Sequence, residues 1–447
     1  GFKFPLARDA RDLDARLDDL RIPEGERDAI RTLVVIPLRD HKASDDVERA
    51  IDRLVGDEDE SEAGQAELAL LFLMGVSRIV VIDRVRDAQW AFARATDDGT
   101  PTVATITATT PNAAERVARF WTLRRDALSG VASVSTERRR VVQDALREFG
   151  LEAWKDDDPL PVTIALPMPT ADQIGPLGPP GRFCLGLPTQ QPTGLPVHVD
   201  ARFFATISRT GLDFALPYNA MLLDVTTELV GDMLGILRDS PSIGERRAVT
   251  LALHRTAGAL AARVFAPEGV ADGEVVLAWG GTSFLPRTEC RLPSDAERAL
   301  LGFVRDALAQ VGEVGALPEE GLLVHAASVL DSIGLPPLAA SPHPWLERAE
   351  ETSVVERAAR HHRADGPNYW EGFANALLDC FEVVELQEQA WLPVGTKELA
   401  APSQRVFLPT SGDMHGDDEE VANVPPRVAA TIRLLDGSAL QIREDGR

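Results

Sequence analysis

Few residues in this chain are spaced for chemistry. The three cysteines, Cys184, Cys290 and Cys380, lie far apart and form no CxxC pair, so neither a zinc site nor a disulfide framework is expected. His361 and His362 are adjacent, but neighbouring helical residues do not share a face, which makes them a poor metal pair. His198 stands between Val197 and Val199 and points the opposite way from both in an extended strand, as a hydrogen-bonded core histidine would. No G-x-S-x-G nucleophile, P-loop or G-x-G-x-x-G segment occurs. Gly280 and Gly281 lead into Phe284-Leu285-Pro286 rather than a helix, and read as a turn. What remains is a polar loop at residues 189–194, Thr-Gln-Gln-Pro-Thr-Gly, between two apolar runs, with Arg202 and Arg209 downstream. Gln190, Gln191 and the two arginines read as a tight surface turn with its charged residues on a wet face.

These groups must be positioned by elements that the hydropathy pattern outlines. Residues 9–21 and 45–54 read as helices, and 65–74 as a strongly apolar helix that Gly75 could end in the left-handed conformation. Residues 31–38, Arg-Thr-Leu-Val-Val-Ile-Pro-Leu, and 78–83, Arg-Ile-Val-Val-Ile-Asp, read as strands. Alternation around Trp90 and Phe92, and the β-branched run from Thr102 to Thr110, predict further strands. Strands at 120–123 and 162–166 and a helix at 138–149 follow. Phe183 to Leu187 and Leu195 to Val199 are expected as a hairpin around the polar loop. A helix is expected over 218–237, and amphipathic helices over 245–265, 295–311 and 346–362. The tail returns to strands near 405–408, 428–435 and 440–443. Strands followed by helices indicate an α+β protein.

Composition narrows the function classes. The chain has 447 residues, enough for several domains, and 44% hydrophobic residues, enough for real cores. Its net charge of −24 gives no support to nucleic-acid coating. No apolar run approaches the about 18 residues of a membrane span. With no leader visible and few cysteines, a cytoplasmic location is expected.

The segment Thr193-Gly194-Leu195-Pro196-Val197-His198-Val199, with the Leu-Val-Val-Ile-Pro-Leu strand and the 65–83 helix-strand pair, resembles sacsin-like and Hsp90-like (GHKL) ATPases of bacterial type. The resemblance is clearest over residues 30–83 and 160–237. It implies a division into 1–83 (C-terminal part of a GHKL ATPase domain), 84–240 (α+β transducer-like domain), 241–400 (mainly helical) and 401–447 (β-rich tail). The implied architecture is a partial GHKL sandwich, then the α+β domain, then the helical region and tail. The implied cofactors are ATP and Mg²⁺. Thr32 would lie beside the adenine, and Arg209 or Gln190 would reach the γ-phosphate from the transducer side. The Asn-bearing helix, the DxGxG segment and the glycine lid are not recognisable here. The chain is therefore expected to lack the N-terminal half of the ATPase domain and to be inactive alone. The implied role is part of an ATP-responsive conformational machine in chaperone-like work or antiviral defence. A protein partner or client, and homo-oligomers, go with it. The alternative is a non-catalytic interaction scaffold.

Overall fold

The computed structural model describes residues 41–56, 64–83, 86–111, 114–149, 159–169, 174–206, 211–311, 316–338, 343–349, 352–365, 367–382, 384–394, 398–403, 406–407 and 433–434. The chain divides into two compact units, Gly1–Arg53 and Leu54–Arg447. Of the first, the described part is the beginning of helix α1 (His41–Val55). The expected helix at 9–21 and the expected strand at 31–38 lie outside the described residues.

The second unit is mixed α+β, as its pattern of strands then helices implies. Its centre is an eight-stranded sheet in the order β1-β2-β3-β4-β5-β8-β6-β7. The strands are β1 (Arg78–Asp83), β2 (Ala88–Thr96), β3 (Thr102–Thr109), β4 (Glu115–Asp126), β5 (Pro161–Pro167), β6 (Arg182–Cys184), β7 (Pro188–Pro192) and β8 (His198–Ala201). All neighbours are antiparallel except β6 and β8, which run parallel, with Phe183 opposite Val199. The sheet is continuous across position 83, where the sequence reading set a boundary.

Helix α2 (Gln65–Phe72) explains the sheet's curvature. Residues 66–72 are all buried, and the helix is apolar all round rather than along one stripe. It touches β1, β2 and β3 at one end of the sheet and β7 at the other. The sheet therefore curls around it. The concave face supplies Phe92, Ala104, Ile106, Ala108 and Phe120, all buried. The one carboxylate on this helix, Glu67, is 1% exposed and pairs with Arg116 of β4. Burial still raises its pKa, with Arg116 opposing. The helix does not end at a left-handed Gly75, which has no positive φ. Instead Arg94 of β2 donates to the carbonyls of Leu70 at 2.6 Å and Met74 at 3.2 Å.

The convex face of β4, β5, β8 and β6 carries Trp121, Ile164, Val199 and Phe183 into a second, larger core. Helix α3 (Ala132–Glu148) packs on helix α4 (Pro217–Arg238), which lies on β4 and β5. Proline at the first turn of α4 is tolerated because that N–H has no helical partner anyway. The core continues into helices α5 (Ile243–Leu251) and α6 (Ala259–Val264), then α7 (Asp295–Val311), α8 (Glu320–His325), α9 (Ala327–Ser332), α10 (Val354–Asp365) and α11 (Pro367–Cys380). The stretch read as one helix over 245–265 is broken at 252–258, where Gly258 meets the chain at Thr193 and Gly194.

Two helices of this region begin with a capping box. Ser294 Oγ accepts from the Glu297 N–H at 3.3 Å while Glu297 accepts from the Ser294 N–H at 2.5 Å. Ser353 and Glu356 repeat the exchange at 3.1 and 3.3 Å. In both, the glutamate has a second task. Glu297 Oε1 lies 2.6 Å from His343 Nε2, and Glu356 accepts from the Ala390 N–H at 2.9 Å. Each cap thereby ties a helix start to a distant loop.

Candidate functional site

The polar loop of the sequence reading is not a loop. Residues 188–192 form β7, an edge strand paired with β6, and the tight turn lies at 185–187. The expected hairpin between 183–187 and 195–199 is replaced by parallel pairing of β6 with β8. Proline at both ends of β7 disguised it. At a sheet edge proline costs no ladder bond.

The distinctive Thr193–Val199 stretch is an anchor between layers. Thr193 is fully buried, and its hydroxyl lies 3.2, 2.8 and 2.9 Å from the carbonyls of Gly181, Leu195 and Val197. Gly194 has φ +86° and sits against Gly258 and Ala261 at the start of α6. Thr256 N–H and Ala261 N–H donate to the carbonyls of Gly194 and Thr193 at 2.9 and 3.1 Å. His198 Nδ1 accepts from the Arg182 N–H at 3.1 Å, and burial depresses its pKa to about 4. It is therefore a neutral structural histidine, tying β8 to β6.

A cleft of about 830 Å³ opens where β6, β7 and β8 end. The turn at 185–189 forms one wall, and Asp200 with residues 201–206 the other. The second wall is held rigid by Asn219 of α4, which is fully buried. Its Oδ1 accepts from the Phe204 N–H, and its Nδ2 donates to the carbonyls of Phe204 and Asp213, at 2.8, 2.8 and 2.9 Å. Phe204 stacks on Tyr218 at 4.6 Å. Asp200 accepts from the Gly186 N–H at 2.6 Å. Burial raises its pKa, while that bond and Arg124 oppose the rise. Leu187 and Arg202 stand exposed at the rim.

Of the residues singled out in the sequence, Gln190 is exposed on β7, the strand that follows the cleft turn. Gln191 is committed, since its Oε1 accepts from the Leu212 N–H. Thr32 and Arg209 lie outside the described residues. Asp200 and Asn219 went unnoticed in the sequence. An isolated Asp in a strand and an Asn inside a helix carry no spacing signal.

Other reactive groups are engaged structurally. His343 shares Glu297 and accepts from the Trp345 N–H at 3.2 Å. Burial pushes the Cys290 and Cys380 thiols up to about 12 and Cys184 well above its ordinary value. The described residues do not fit Mg²⁺-ATP. The cleft offers one carboxylate, Asp200, already bonded to a backbone amide, whereas magnesium takes several hard oxygens around the phosphates. Among the described residues no group of three His, Cys, Asp or Glu could hold a metal. No described helix is long and apolar enough to cross a membrane.

No family model, curated protein or solved structure matches this chain.

Proposed function

We propose that this chain is the transducer and docking part of an Hsp90/sacsin-like, ATP-responsive machine, in chaperone-like work or antiviral defence. Its described residues act by binding and by holding a fixed geometry, and the nucleotide chemistry resides outside them. The observation that carries this reading is the cleft at residues 185–189 and 200–206. It is open and roomy, and its wall is fixed by a fully buried asparagine. Gln190 projects from the adjoining strand. A rigid recess with Leu187 and Arg202 exposed at its rim, beside a sheet edge, suits a surface that meets another domain or a protein partner. The role in ATP turnover comes from the resemblance of the Thr193–Val199 and 30–83 segments.

Calorimetry with ATP and Mg²⁺ tests the division of labour. The chain alone is expected to bind ATP more weakly than micromolar, that is, by less than about 8 kcal/mol. Micromolar affinity would overturn it. With a complete ATPase domain supplied, Gln190→Ala and Arg209→Ala should slow hydrolysis more than they weaken ATP binding.

The second reading is a non-catalytic interaction scaffold. It is favoured by the structural engagement of His198 and His343 and by the burial of Cys184 and Cys290. Unchanged hydrolysis in both variants of the completed assembly would select it.

A further inference from the structure

The cleft at residues 185–189 and 200–206 holds a carboxylate whose charge is incompletely balanced. Asp200 is half-buried on its wall. The Gly186 N–H takes Oδ1 at 2.6 Å. Among the described residues no other group hydrogen-bonds Asp200, and none forms an ion pair with it. The cation that acts on it is Arg124, from two strands away. Arg124 lies opposite Thr163, and Thr163 opposite Asp200. Two strand spacings come to about 10 Å. That attraction does not offset burial, which holds the carboxyl above its ordinary value. Arg202 stands on the rim, and its charge acts on the Tyr218 hydroxyl.

The surroundings of the carboxylate are apolar. Pro161, Leu185, Leu187 and Pro188 line the cleft beside it. Leu187 is 61% exposed, and Met74, just past the end of α2, is 66% exposed. These two flank one contact. Leu73, next to Met74, packs on Gly186, next to Leu187: a Cβ on Gly186 would lie 3.6 Å from Leu73 Cδ2. The mouth of the cleft thus pairs exposed apolar side chains with an undercompensated charge behind them.

We propose that the cleft receives a lysine side chain of a partner protein, with its ammonium on Asp200, its methylene stem along Leu185 and Leu187, and an apolar neighbour of that lysine on Leu187 and Met74. The proposal rests on the reading of the cleft as a docking surface and names the chemistry of what docks.

Charge selects a cation. A desolvated carboxylate with one neutral donor gains a strong, charge-assisted bond when an ammonium reaches it. The chain's net charge of −24 draws cations toward it at long range. A metal ion is a poor occupant, since it takes several hard oxygens and the cleft lining offers one carboxylate. Lysine suits the site better than arginine. Oδ1 already holds a backbone N–H, so one oxygen is open, which fits a point charge and not a guanidinium fork that uses both. A free amine would balance the charge and leave Leu187 and Met74 uncovered. A peptide covers them, and the lysine stem lies along the apolar wall.

Fluorescence anisotropy of a dye-labelled peptide, Ala-Leu-Lys-Leu-Ala with blocked ends, titrated with the full chain, reads the site. The same peptide carrying acetyl-lysine or arginine, and spermidine as a competitor, supply the comparisons. The lysine peptide should bind saturably. Acetylation of its lysine should weaken binding about tenfold or more, the worth of a charge-assisted bond. Arginine in its place should also bind more weakly. Asp200→Asn keeps an oxygen for the Gly186 N–H. It should weaken the lysine peptide about tenfold or more and leave the acetyl-lysine peptide unchanged, which mere loosening of the cleft would not do. Leu187→Ser should weaken both peptides and leave spermidine unaffected. Equal affinity for the lysine and acetyl-lysine peptides, wild-type affinity in Asp200→Asn, tighter binding of arginine, or spermidine competing at the peptide's own concentration overturns the proposal. The docking reading survives any of these if Leu187→Ser still weakens peptide binding, and falls with the proposal if it does not. No binding by any peptide overturns the proposal as well, and hydrolysis by the completed assembly then decides the docking reading.

Discussion

Gly194 and Gly258 are packed backbone to backbone: a Cβ on Gly194 would lie 2.8 Å from the Gly258 Cα and 2.8 Å from the Ala261 Cβ. A side chain at Gly258 would meet Thr193 and Gly194 backbone more closely still. This contact joins the curved sheet to the start of α6. Gly194→Ala adds the left-handed penalty of an L-residue, about 1–2 kcal/mol, to overpacking of about 1–3 kcal/mol. Urea unfolding should register a loss of about 3 kcal/mol or more for Gly194→Ala. A change within about 0.5 kcal/mol, the range of neutral surface substitutions, would mean the layers are not joined here.

Thr193 supplies the second part of that junction. Thr193→Val keeps the volume and removes a hydroxyl that lies beside three carbonyls. The Gly181 and Leu195 carbonyls keep the Thr193 and Gly181 N–H groups as donors at 2.8 and 2.7 Å, so the expected cost is about 1–3 kcal/mol, from the one donor bond lost and from the Leu195 N–H, which donates to the hydroxyl at 3.3 Å. Thr193→Ser should recover most of it. Denaturation of the pair separates hydrogen bonding from packing, since a purely steric role would make serine the worse substitution.

His198 makes stability depend on pH. Its folded pKa is about 4, below an ordinary value of 6.5. As pH falls, the unfolded chain takes up the proton first. Stability present above pH 6.5 is therefore lost progressively between 6.5 and about 4. At about 1.4 kcal/mol per pKa unit, the loss approaches 3 kcal/mol at the acid end. His198→Gln can still accept from Arg182 N–H and does not titrate. Its urea midpoint should be flatter than wild type across that window, and equal slopes in the two proteins would refute the assignment.

Arg94 closes α2 through two carbonyls. Arg94→Met preserves the aliphatic stem and deletes both bonds. A loss of about 1.5–3 kcal/mol is expected, as for hydrogen bonds to a charged group. Amide exchange at α2 should rise more than at β3. Equal protection in both proteins would show the cap to be dispensable.

The elements most legible in the sequence are those whose period matches one buried face. The β-branched alternation at 102–110 predicts β3, and the apolar spacings at 218–237 and 295–311 predict α4 and α7. The 188–192 strand was not legible, because Pro188, Gln190, Gln191 and Pro192 carry turn chemistry and only the sheet edge makes them a strand. The parallel pairing of Phe183 with Val199 joins residues across an intervening strand, which no local pattern encodes. Ser294-x-x-Glu297 and Ser353-x-x-Glu356 were readable as helix starts and were overlooked. The second bond of Glu297, to His343 forty-six residues away, was not readable. The cleft was invisible for the same reason: Gly186, Asp200 and Asn219 meet only through the fold.

The enclosure of α2 imposes an order on synthesis. This helix leaves the ribosome before every strand that covers it, and β7, which closes the far side, ends only at Pro192. For the time needed to make about 120 further residues, at about 5–20 residues per second, a segment apolar on every side has no shelter of its own. The nascent chain is at its most adhesive then, long before its acidic surface is complete. Holding residues 65–72 away from other chains during those seconds decides how much of the protein reaches its native state.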